Sequence, residues 1–89
     1  MKEMVLSVDV ENLTIRYFRT EGMLDDEGSK TRIYGISAAK YIGDEKEEEQ
    51  DAGFISADMA YVDELIAVLG KNTVTPMVLC EVLDEILSA

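Results

Sequence analysis

Residues 43–53 read GDEKEEEQDAG, six carboxylates and one lysine between two glycines. The reading of this stretch decides the fold, because the hydrophobic period is two before it and close to 3.6 after it. Like charges at this density repel one another and disfavour compact structure, and the bracketing Gly43 and Gly53 suit a flexible connection. The stretch is therefore expected to be an acidic flexible linker over 43–53. It would join a β-meander over 1–42 to a helical hairpin over 54–89, all within one domain spanning 1–89.

Upstream, MVLSVDV sets Met4, Leu6, Val8 and Val10 against Ser7, Asp9 and Glu11, the alternation of a half-buried strand. LTIRYFRT repeats it with Leu13, Ile15 and Tyr17 opposed to Thr14, Arg16 and Thr20, and Phe18 breaks the pattern. Glu11-Asn12 reads as a tight turn between the two. TRIYGISAAKYI is a third β-rich run, in which Gly35 marks a bulge or a close backbone approach. EGMLDDEGSK separates the second and third runs, and its Asp26-Glu27-Gly28-Ser29 is turn chemistry.

Downstream, Phe54-Ile55-Ser56 either adds a short fourth strand or leads into a helix that Ser56 or Asp58 caps. Met59, Val62, Leu65, Ile66 and Leu69 recur at three- and four-residue spacing, and Gly70 with Asn72 supplies the stop. Thr75-Pro76 restarts the chain as a cap residue followed by a proline in the first helical position. On a wheel the apolar residues of 76–87 sweep about 200°, wider than a singly packed surface helix needs. Such a helix is either buried on two sides, by the sheet and the first helix, or it meets a partner. The expected fold class is α+β: an antiparallel meander of three or four strands, with the C-terminal helical hairpin packed on one face.

The composition bounds the function. The net charge is −11, and Lys71 is the one base after residue 53. That excess repels phosphate backbones, so direct nucleic-acid binding is not expected. No apolar run approaches the ~20 residues of a membrane span and no signal pattern opens the chain, so no membrane association and a cytoplasmic location are expected.

The chain has no histidine, which removes the commonest general base and transition-metal ligand. Cys80, the one cysteine, has no histidine to activate it and sits in an apolar helical pattern, where it reads as a small core residue. The six glycines are scattered, and none heads a phosphate-binding loop. Neither DDEGSK nor GDEKEEEQD has the alternation and central glycine of a calcium loop. Tyr34, Tyr41 and Tyr61 read as core or rim residues. No catalytic residue, metal ligand or cofactor is assigned.

Three segments also carry a resemblance: Tyr34-Gly35-Ile36, Val62-Asp63-Glu64-Leu65-Ile66, and Val74-Thr75-Pro76 followed by Leu79, Val82 and Leu87. In this order, with an acidic variable stretch after the first, the chain resembles a family of small clostridial proteins known only as a domain of unknown function. The family often carries a histidine just before the leucine of the closing helix, where this chain has Val78. The resemblance implies a strand, two helices and the turn between them, and implies no activity.

The leading expectation is a small non-enzymatic interaction or regulatory protein, with a homodimer as one form of it. Met77, Cys80 and Leu87 are the candidate partner contacts, where the apolar arc of the last helix exceeds what one sheet face covers. Two alternatives come from other classes. One is an acidic nucleic-acid mimic or sequestering protein using Asp44 to Asp51, and the other a ligand-binding domain or enzyme using a polar sheet face around Arg16, Arg32 and Tyr34.

Overall fold

The computed structural model describes residues 2–88. Four strands, β1 (Lys2–Val10), β2 (Leu13–Asp26), β3 (Ser29–Ile42) and β4 (Glu45–Ser56), form one antiparallel sheet in chain order. Helix α1 (Met59–Lys71), a 3₁₀ turn (Pro76–Val78) and helix α2 (Leu79–Ser88) follow. The fold is thus α+β, a four-stranded meander with two C-terminal helices.

Each pair of neighbouring strands is joined by a two-residue loop: Glu11-Asn12, Glu27-Gly28 and Gly43-Asp44. Glu11, Glu27, Gly28 and Gly43 all have positive φ, the conformation that matches hairpin turns to the right-handed strand twist. β2 and β3 run well past their neighbours. Pairing with β1 ends at Thr20 and pairing with β4 at Tyr34, so residues 22–33 project as a two-stranded arm. EGMLDDEGSK is therefore mostly strand, with only Glu27-Gly28 left as the turn. The cross-strand pair of Asp25 and Lys30 places opposite charges beside that turn.

The acidic stretch is strand β4, not a linker. Glu45, Glu48, Glu49, Gln50 and Asp51 all pair with β3. Cations from β1, from β3 and from β4 itself offset the repulsion that the sequence implies. Lys40 Nζ lies 2.9 Å from Glu48 Oε2, while Lys2 and Lys46 lie 3.2 and 3.3 Å from Glu49 Oε2. The two glycines also have roles other than flexibility. Gly43 (φ 63°) opens the last hairpin turn, and Gly53 (φ 78°) sits where the pairing of β4 with β3 slips.

One sheet face carries the core. Ile15 and Tyr17 of β2, and Tyr34, Ile36 and Ala38 of β3, pack against Val62, Leu65, Ile66 and Leu69 of α1 and Leu79 and Leu83 of α2. The buried Tyr17 donates from its hydroxyl to the Val74 carbonyl at 2.6 Å, tying β2 to the segment between the helices. Arg19 ties three elements: its Nη1 reaches both oxygens of Asp63 on α1 at 2.7 and 2.8 Å, and its Nη2 reaches Glu3 on β1 at 2.9 Å.

The helix boundaries follow their caps. Asp58 accepts from the Tyr61 amide, and Ser56 Oγ accepts from the Asp58 amide. Asn72 closes α1, donating its side-chain amide to the Val68 carbonyl at 2.8 Å. Thr75 makes no side-chain cap, and Pro76 begins the 3₁₀ turn rather than the α-helix itself.

Candidate protein-binding surface

The final helix is not buried on two sides. Leu79 and Leu83 are buried and Val82 and Ile86 half-buried, but Cys80, Val78 and Leu87 are exposed. Cys80 is therefore not a core residue. A wide apolar arc on α2 meets only one inward surface, and the sheet and the 3₁₀ turn supply it.

Cys80, Leu83, Asp84 and Leu87 are spaced i, i+3, i+4 and i+7, so they form one stripe along α2. Across from them β4 supplies Ala52, Phe54 and Ile55, and together these residues line a groove of about 300 Å³. Two of the three sequence-predicted contacts, Cys80 and Leu87, thus share one site. Met77, 77% exposed, lines a different cavity of about 360 Å³ with Pro76 and Glu47 to Gln50. Both cavities have β4 as a wall.

Phe54 was not singled out by sequence reasoning, which read Phe54-Ile55-Ser56 as either a short fourth strand or a lead-in to a helix. The three residues end β4, and Phe54 is paired with Gly35 on the side away from the helices. It is 55% exposed, and its ring lies over Gly22 of β2, so that a Cβ at Gly22 would collide with it. Gly35 makes this crossing possible. It pairs with Phe54, and a Cβ there would collide with the Gly53 carbonyl and come within 2.7 Å of Thr20 Oγ1. The close backbone approach expected at Gly35 is present.

The polar face expected around Arg16, Arg32 and Tyr34 does not assemble. Arg16 pairs with Ala39, and the Arg16 guanidinium stacks 4.6 Å from the centre of the Tyr41 ring on the side away from the helices. Tyr34 is buried on the helix side, and Arg32, which is two residues from it along β3, shares that side. A cavity of about 260 Å³ is lined by Lys2, Glu3, Arg19, Glu21 and Arg32, but Arg19 is committed to Asp63 and Glu3.

The acidic run is likewise partly committed to internal contacts. Lys2 and then Lys46 hold the Glu49 carboxyl below the usual carboxylate range. Asp51 accepts from the Gly53 amide at 2.8 Å. Among the described residues, no helix is long and apolar enough to cross a membrane, and no three Cys, Asp or Glu side chains are grouped to hold a metal ion.

The chain belongs to a family of unknown function, DUF6514, whose model matches residues 1–89. No curated protein and no solved structure matches it.

Proposed function

We propose that this member of DUF6514 is a cytoplasmic, non-enzymatic protein-binding module, in the clostridial setting that the sequence resemblance implies. The observation that carries the reading is the groove between α2 and β4. There the exposed Cys80 and Leu87 flank the half-buried Ala52 and Ile55 of β4, leaving apolar side chains in water at the rim of an otherwise strongly charged chain. Ile55 and Leu87 suit the role of anchors, because binding energy concentrates in a few side chains that a partner desolvates.

Leu87 gives the test. It is 44% exposed, so Leu87→Asp is expected to shift the melting temperature little. The tagged full-length chain is used to capture partners from the native cell, and each captured chain is purified for a direct binding measurement. Leu87→Asp is expected to weaken that binding by roughly 10-fold or more. A wild-type chain that captures nothing, or a Leu87→Asp chain that binds as well as the wild type, would sink the reading.

A further inference from the structure

The carboxylates at and beside the proposed groove run along it. Asp84 sits inside the α2 stripe with Glu81 and Glu85 beside it, and Glu47 and Glu48 of β4 line the neighbouring cavity. The nearby bases on the sheet are engaged, Lys40 with Glu48 and Lys46 and Lys2 with Glu49. The cavity holding Met77 continues this track along β4. Within it, Glu48 Oε1 is a buried acceptor without a donor, the only such side-chain atom among the described residues. A cationic side chain from outside would supply the missing donor, and the exposed Met77 beside Pro76 would cover its methylene stem.

We infer that the groove's occupant is an amphipathic helix of a partner protein, with apolar anchors at one end and an arginine or lysine at the other. The anchors lie against Ile55 and Leu87, and the cation lies against Glu47 and Glu48. This inference rests on the proposed groove and names the chemistry of what fills it.

Strand addition to β4 fits less well, because its register slips at three places and leaves no even row of backbone donors and acceptors. The β4 portions of the two cavities, residues 47–50 and 52–55, have midpoints ~16 Å apart at the rise of a strand. That distance is about three turns of a helix. A second copy of this chain is disfavoured as occupant, since it would bring a net charge of −11 against the same acidic walls.

The test uses the full chain and three synthetic peptides of about 18 residues. All share a leucine stripe at one end and differ only three turns away, where they carry arginine, glutamine or glutamate. Fluorescence anisotropy at ~0.15 M salt is expected to show the arginine peptide binding roughly 10-fold tighter than the glutamine peptide, with the glutamate peptide weakest. Glu47→Gln with Glu48→Gln is expected to erase the arginine preference. Asp25→Asn with Asp26→Asn, the same charge change on the projecting arm, is expected to preserve it. Melting temperatures of both variants report that they are folded, and Glu47→Gln alone serves where the pair is not.

Equal binding of the arginine and glutamine peptides overturns this inference and leaves the groove standing. Loss of the preference in the arm variant also overturns it, since long-range charge is then sufficient. If Leu87→Asp binds all three peptides as the wild type does, the groove and the inference fall together. A wild-type dimer that Leu87→Asp dissociates replaces the helix with a second copy.

Discussion

Tyr17 links the sheet to the C-terminal third of the chain through a single hydroxyl. Its ring is fully buried between β2 and the helices, and its hydroxyl reaches Val74, 57 residues along the chain. Burial pushes that hydroxyl up from 10.0 to about 12. The folded state thus holds the proton that the unfolded chain releases first. The stabilisation from this group is complete below pH ~10 and is lost progressively as the pH rises to ~12. Tyr17→Phe removes the donor to Val74 and is expected to cost about 1–2 kcal/mol at pH 7 in urea unfolding. The wild-type advantage over Tyr17→Phe should then shrink between pH 10 and 12. An advantage that is constant across that interval would contradict this account.

At the scale of elements, β4 is where physical chemistry and sequence pattern part company. If residues 45–56 are a strand, the amides that face β3 resist hydrogen exchange, whereas a linker would exchange at unfolded rates throughout. We expect an alternation of slow and fast amides over 48–52 at pH 7, measured by NMR, and uniformly fast exchange would contradict the strand. The alternation of Leu13, Ile15 and Tyr17 and the spacing of Val62, Leu65, Ile66 and Leu69 were legible because each pattern reports one buried face. The acidic part of β4, residues 45–51, was not, because both of its faces are polar and its order depends on Lys2 and Lys40, bases on other strands that only the fold brings near. The arm was missed for a related reason. Met23 and Leu24 are exposed, so no buried face marks them as strand. Of the candidate site, Leu87 and Cys80 could be read from the excess of the α2 arc. Their neighbours Ala52 and Ile55 could not, since nothing local places that end of β4 beside α2.

Across the whole molecule, charge governs association. β1 and β4 are both edge strands, and β1 exposes Met4 and Val5 on its way to a bulge. Edges of this kind invite pairing between chains, and a net charge of −11 opposes it. Light scattering is expected to find a monomer at pH 7. Association should grow as the pH falls towards the isoelectric point near 4.2, where the repulsion disappears. The same acidification removes the pairs around Glu49. Its lowered carboxyl supports the fold above the ordinary carboxylate range and ceases to do so as the pH drops through its own titration. A chain that stays monomeric down to the isoelectric point would show that the edges are guarded by shape rather than charge.

The meander also sets a timetable during synthesis. Its three two-residue turns let each strand pair with the one just made, so the first three strands can form by residue 42. The residues that cover Ile15, Tyr17 and Ile36 run from Val62 to Leu83 and leave the ribosome after the strands. At ordinary elongation rates that leaves the apolar side of the nascent sheet bare for roughly 2–8 seconds. During that interval the acids of the projecting turn and of β4 set like charge against like on neighbouring nascent chains.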